Sequence, residues 1–242
     1  AAAAESFAAD GAKLVLTDYD QAPLDRFAAD LSAKTGADVA ALAGDIAEEA
    51  TSAAWVALAL ERFGGIDGAF NNAGIEHPML RFQDIPAEMA KRVMDVDAMG
   101  VLFAMKHQLA AMVPQFKESG RTGAILNTAS AAGVAGAPRL GAYAGAKHAV
   151  VGMSATAAIE VARSGVRVNA LCPAFVRTRM VMQSLAEDLG GADNAMEKLT
   201  RFIPMGRIGE VAEVVPAIRF ALHPANGFFT GQTIQLDGGL NA

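Results

Sequence analysis

The sequence predicts an α/β fold: one Rossmann-type domain over residues 1–242, a doubly wound parallel sheet with helices on both faces. Three observations carry this. Six short runs rich in Val, Leu, Ile and Ala recur without polar alternation, as strands buried on both faces do. Segments long enough for crossover helices separate them. Most of the runs are bounded by Gly, Asp or Pro, which end strands and open turns.

In order, Ala1 to Asp10 reads as a helix stopped by Gly11, and Leu14 to Asp18 as the first strand. Leu24, Phe27, Ala28 and Leu31 then follow helical spacing. The later strands are expected at Asp38–Asp45, Gly68–Gly74, Gly123–Ser130, Arg167–Pro173 and Thr233–Gly239. The opening is unusual. A dinucleotide-binding fold starts with a strand and a Gly-rich turn, and that strand sits in the middle of the sheet. Without it, two interior edges would carry unpaired backbone groups. The expectation is that a strand and turn of roughly 15 to 25 residues precede Ala1.

Composition excludes several classes. Hydrophobic residues are 52% and charged residues 19%, so the chain has the means to bury a core. The net charge of −6 offers no basic face for nucleic acid. One cysteine makes neither an intrachain disulfide nor a Cys-cluster metal site, and points to a reducing compartment, the cytoplasm. No apolar run of membrane-spanning length occurs, and the first residues lack the positive region of a signal peptide. His77, His107, His148 and His223 are scattered without metal-ligand spacing, so no metal is expected. Cys172, in an apolar strand, reads as core.

Asp18, at the carboxyl end of its strand, has two readings. It is a helix-capping acid, or it holds the ribose hydroxyls of NAD and repels the 2′-phosphate of NADP. Tyr143 and Lys147, at i and i+4, share one helix face. An ammonium there would lower the phenol's pKa and make it a usable acid or base; the plain alternative is a surface pair. Ser130 closes a strand, as a site residue or as an N-cap. Asn71-Asn72-Ala73-Gly74 either lets a cofactor approach the backbone closely or simply forms a turn.

Together these motifs resemble the short-chain dehydrogenase/reductase family, over essentially the whole chain. Asn71-Asn72-Ala73-Gly74 is similar to its structural Asn-Asn-Ala-Gly motif. Ser130 and Tyr143 stand thirteen residues apart, and Tyr143-Ala-Gly-Ala-Lys147 matches its Tyr-x-x-x-Lys. Gly165 to Pro173 is similar to the strand leading to the nicotinamide end, and Phe229 to Gly239 to the closing strand.

The resemblance implies hydride transfer between NAD and a secondary alcohol/ketone pair. Tyr143 would exchange the proton, Ser130 hydrogen-bond the alkoxide, and Lys147 lower the Tyr143 pKa and hold the nicotinamide ribose. Asp18 would bind the adenosine ribose, Asp45 and Ile46 the adenine, and Asn72, Ala73 and Gly74 the cofactor's middle. Pro173, Val176 and Thr178 would hold the nicotinamide end. A lid around 178–204, with Met180, Met182 and Phe202, would select the substrate or merely pack. Asn127 to Gly133 and Gly145 to Gly152 are similar to dehydrogenases of cyclic diols. The resemblance also implies a homotetramer pairing helices near Val93–Met112 and Ala142–Val161, with a small-molecule substrate and neither nucleic acid nor membrane as partner.

Three departures stand out. The Gly-rich turn is absent. Ala174 replaces a usual Gly, which a negative φ would allow. Asp97 stands where the family has its fourth catalytic residue, Asn; it keeps the backbone carbonyl that holds a relay water but not the amide donor. The missing turn and Asp97 leave a second reading open, a binding or regulatory protein on the same fold with catalysis lost.

Overall fold

The computed structural model describes residues 1–182, 196 and 200–242. Its strands are β1 (Leu14–Leu16), β2 (Val39–Ala41), β3 (Gly68–Asn71), β4 (Gly123–Thr128), β5 (Val166–Pro173) and β6 (Thr233–Leu236). The helices named here are α1 (Ala2–Ala9), α2 (Gln21–Thr35), α3 (Glu49–Phe63), α4 (Ala87–Met94), α5 (Gly100–Ser119), α6 (Gly141–Val161) and α7 (Val211–Leu222). All six expected strands are present. Their ladders stop short of the polar residues at most carboxyl ends, which turn away into loops.

Every strand pairing is parallel, in two pieces: β1 with β2, and β3-β4-β5-β6. No ladder joins β1 to β3. The helix α1 reaches both pieces. Ala8 packs with Leu31, Leu14 and Leu16, while Phe7 packs with Phe70, Leu126 and Leu222. Arg219 of α7 fixes this helix, reaching Asp10 Oδ2 at 2.6 Å and Ser6 Oγ at 2.8 Å.

The absence of polar alternation in β4 and β5 has the expected cause. Ile125, Val166, Val168 and Cys172 pack toward α5 and α6, where Met105, Met112, Val150 and Ala157 meet them. Leu126 and Leu171 pack the other way, onto Ile218 and Ala221 of α7. Successive strand residues point to opposite faces, and each face is covered, so both sets are apolar. Full burial of such a side chain stabilises the fold by about 1.5–3 kcal/mol. Helices α2 and α3 end at Gly36 and Gly64, whose φ of 73° and 71° are the left-handed values glycine adopts without a Cβ penalty.

Helix α7 starts with a capping box. The Glu213 carboxylate accepts the Glu210 N–H at 2.8 Å and takes both Arg207 amino nitrogens at 2.7 Å. The Arg207 hydrogen bonds first, then the Glu210 N–H, hold its carboxyl down at about 2, against an ordinary 4.5. A depressed carboxyl contributes its stability in full above the ordinary value and loses it as pH falls through the folded value. Urea midpoints measured from pH 5 down to about 2 should therefore fall less steeply in Glu213→Gln than in the wild type.

Among the described residues, no helix is long and apolar enough to cross a membrane, and no group of three or more His, Cys, Asp or Glu side chains is placed to hold a metal.

Candidate active site

Because the strands of each piece run parallel, their carboxyl ends share one edge, where the sequence places most of its polar candidates. From β4 the chain runs through Ala129 to Ser130, which is fully extended at φ −168°, ψ 162°. Its Oγ accepts the Ala132 N–H at 3.1 Å, starting the short 3₁₀ turn Ala131–Gly133. That turn lies tight on α6. A Cβ added at Gly133 would sit 2.8 Å from the Lys147 carbonyl oxygen, so the approach depends on glycine.

Helix α6 presents Tyr143 and Lys147 one turn apart, with Ala144 and Ala146 buried around them. Lys147 is 3% exposed. Its Nζ donates to the Thr128 carbonyl at 3.2 Å and lies 3.0 Å from Asp97 Oδ2 and 5.5 Å from the centre of the Tyr143 ring.

Asp97 is fully buried, in a π-helical turn (Asp95–Met99) between α4 and α5. Such a turn is an i→i+5 distortion frequent at functional sites. Its Oδ1 accepts the Ile75 N–H at 2.7 Å. Among the described residues Oδ2 receives no well-aligned hydrogen bond, so the Lys147 charge is what compensates it. Gly74 closes this group from above: a Cβ there would stand 3.1 Å from both Asp97 Oδ2 and Lys147 Nζ.

Electrostatics follow from burial. Desolvation pushes the Tyr143 phenol up to about 12; a hydrogen bond with Ser130 pulls it down, and the charges of Asp97 and Glu76 push it further up. Burial also raises the Asp97 carboxyl, against the pull of Lys147 and the Ile75 N–H. Burial raises the Cys172 thiol to about 11, and the residue is fully enclosed, as expected of a core cysteine.

Ser130, Tyr143, Lys147, Asp97 and Gly74 thus form one cluster. The two asparagines of the Asn71–Gly74 motif divide their work. Asn71 turns inward, trading hydrogen bonds with Gln108 at 2.9 and 2.7 Å and donating to Asn127 at 2.8 Å. Asn72 and Ala73 stand exposed, and Asn72 Oδ1 accepts from Thr128 Oγ1 at 3.2 Å.

Asp18, Asp45 and Ile46 lie apart, at the carboxyl ends of β1 and β2, linked by the Gly44 N–H donating to the Asp18 carbonyl at 2.9 Å. Asp18 is exposed and its Oδ1 accepts the Tyr19 N–H at 2.7 Å; Asp20, not Asp18, is the N-cap residue of α2. Asp45 is engaged by protein: it accepts the Ala47 N–H at 3.0 Å and pairs with Arg92 at 2.8 Å. Partial burial raises its carboxyl, but those two partners outweigh it and the net direction is down. Ile46 is buried against Gly100, at the start of α5.

Beyond β5, Pro173 leads to Val176, which bridges to Gly209, and to Thr178, whose Oγ1 accepts the Val181 N–H at 3.3 Å. Ala174 avoids positive φ, which Arg139 alone adopts among the described non-glycine residues. Of the expected lid, residues 183–195 and 197–199 lie outside the described residues. Around them Ile203 and Ile208 form a small buried core with Phe175, Val181 and Met196. Phe202, at 75% exposure, faces outward.

Sequence reasoning missed three contributors: the Thr128 carbonyl, the Ile75 N–H and the Glu76 charge. Thr128 and Ile75 act through backbone atoms, which no residue type announces. Glu76 follows Gly74 by two positions, and that proximity was the available signal.

The residues fit a dinucleotide. An exposed carboxylate able to accept from a ribose diol stands at one end. Small exposed residues occupy the middle, and an ammonium and a phenol stand at the other end. A family model described as enoyl-(acyl carrier protein) reductase matches residues 1–241. The 2,5-dichloro-2,5-cyclohexadiene-1,4-diol dehydrogenase of Sphingobium indicum is 39% identical over 241 residues, covering 100% of this chain and 92% of its own length. The crystal structure of levodione reductase superposes with a TM-score of 0.92 at 33% identity, covering 98% of this chain and 91% of the other. NAD⁺-bound xylitol dehydrogenase superposes with a TM-score of 0.89 at 28% identity, covering 98% and 93%.

Proposed function

The chain belongs to the short-chain dehydrogenase/reductase family and is an oxidoreductase, and from that premise we propose that it moves a hydride between NAD(H) and a hydrophobic or cyclic secondary alcohol/ketone pair. The observation that carries this is the single cluster of Ser130, Tyr143 and Lys147 at the carboxyl ends of β4 and β5. A relative named for a cyclohexadiene-1,4-diol supports a ring substrate.

In this reading Tyr143 exchanges the proton with the substrate oxygen, and Ser130 hydrogen-bonds that oxygen as its charge develops. Lys147 and Tyr143 hold the nicotinamide ribose, with Pro173, Val176 and Thr178 around the nicotinamide. Asn72, Ala73 and Gly74 give the cofactor's middle close access to backbone. Asp18 accepts from the adenosine ribose. Ile46 and Asp45 border the adenine, with Asp45 held in place by Arg92. NAD, when bound, supplies the hydride acceptor.

The choice of NAD over NADP rests on Asp18, since an exposed carboxylate beside a 2′-phosphate sets two like charges together. Calorimetric titration should show NAD binding about tenfold or more tighter than NADP, and Asp18→Ser should narrow that gap. Equal binding of both by the wild type contradicts the role given to Asp18. A homotetramer of a cytoplasmic enzyme, pairing α5 and α6, is the assembly that the family resemblance implies. Light scattering should give four times the chain mass.

A further inference from the structure

The family resemblance assigns Lys147 the task of stabilising the Tyr143 phenolate. Here the lysine's charge is already committed. Its ammonium, 3% exposed, lies 3.0 Å from a carboxylate with no exposure at all. That carboxylate is fixed by the Ile75 N–H at 2.7 Å, and the ammonium by the Thr128 carbonyl at 3.2 Å. A buried pair of this kind presents its surroundings with a charge near zero. An asparagine at this position, using its oxygen for the Ile75 N–H, would offer the lysine only amide hydrogens and leave its charge uncompensated.

We propose that Asp97 is a positioning residue that neutralises Lys147, so that Tyr143 remains a phenol through the neutral range and the site favours carbonyl reduction there, with alcohol oxidation rising only in alkaline solution. The proposal rests on the reading of Tyr143 as the proton-exchanging group. In reduction the phenol O–H bond breaks as its proton passes to the carbonyl oxygen, while the hydride of NADH passes to the carbonyl carbon. Oxidation reverses both transfers and begins from the phenolate.

The groups acting on Tyr143 divide, with burial and the negative charges outweighing the one hydrogen bond that favours ionisation. From the turn after β4, Ser130 hydrogen-bonds the phenol and favours ionisation. From the loop after β3, Glu76 opposes it; from the π-helical turn, Asp97 opposes it; from β5, Cys172 opposes it as a thiolate. On α6 itself, Lys147 is the nearby cation, and Asp97 answers its charge.

The chain contains two tyrosines, Tyr19 and Tyr143, so Tyr19→Phe leaves one phenol to observe. Ultraviolet titration of tyrosinate in that background, with circular dichroism recorded alongside, reads Tyr143 without any assay of activity. With Asp97 in place, the phenol should ionise above the ordinary value of about 10. Asp97→Asn should lower its midpoint by about one unit or more, and the rising limb of kcat/KM for alcohol oxidation should move down with it. Ionisation below about 10 with Asp97 present overturns the proposal, and so does an unmoved midpoint in Asp97→Asn. If Asp97→Asn does not fold, Asp97→Ser, which also removes the charge, takes its place, and an unmoved midpoint there overturns the proposal equally. A high midpoint in a protein whose Tyr143→Phe variant keeps full turnover would instead refute the reading beneath the proposal.

Discussion

Tyr143→Phe is expected to lower turnover by about 10²- to 10⁴-fold while leaving NAD binding close to that of the wild type. The substitution removes one oxygen and keeps the ring, which packs against Ile75, Ala142 and Ala146. The helix should therefore stay seated, and Lys147 keeps its contacts with Asp97 and Thr128. What is lost is the group that exchanges a proton with the substrate oxygen, together with the partner of the Ser130 hydroxyl. Steady-state rates and calorimetry on one preparation separate these effects. Wild-type turnover in the variant would contradict the site.

Lys147→Met is expected to cost stability as well as activity. It removes the ammonium and leaves the Asp97 carboxylate buried, with the Ile75 N–H as its remaining support. Breaking one side of a buried pair costs about 3–5 kcal/mol. The cost should depend on pH. Without Lys147 the Asp97 carboxyl titrates still higher in the folded state than in the unfolded one. A raised carboxyl favours the fold where it is protonated and loses that contribution as pH rises through its folded value. The variant should therefore be least stable in neutral and alkaline solution and recover toward acid. Adding Asp97→Asn removes the stranded charge and should restore most of the loss, so urea midpoints of the two single variants and the double variant should be clearly non-additive. Additive losses would mean that the two side chains are not energetically a pair.

Much of the fold was legible because its signal is local. Runs such as Ile125-Leu126 carry no alternation since their residues point to two covered faces, and Gly11, expected to stop the first helix, follows it at a left-handed φ of 81°. The sheet lies in two pieces, β1-β2 and β3-β4-β5-β6, with no ladder between β1 and β3. The site was legible where chemistry is carried by spacing, as in Tyr143 and Lys147 at i and i+4. It was less legible where chemistry depends on charge brought together over distance. Fifty residues separate Asp97 from Lys147 in sequence, and the sequence showed only that the local bonds of Asp97 must differ from those of Asn. Asp45 illustrates the same limit: the family resemblance implies an adenine contact for it, but only the packing of α4 reveals Arg92 on it.

The central claim is direct hydride transfer between NAD and a secondary alcohol. A panel of cyclic secondary alcohols, cyclohexanol among them, labelled with deuterium on the carbinol carbon tests it. The wild-type protein is incubated with NAD and each alcohol in unlabelled alkaline buffer, where oxidation is favoured, and the dinucleotide is analysed by mass spectrometry. The expected result is reduced nicotinamide that carries the alcohol's deuterium. Reduced nicotinamide without deuterium, or none from any alcohol in a protein that binds NAD, would contradict the account.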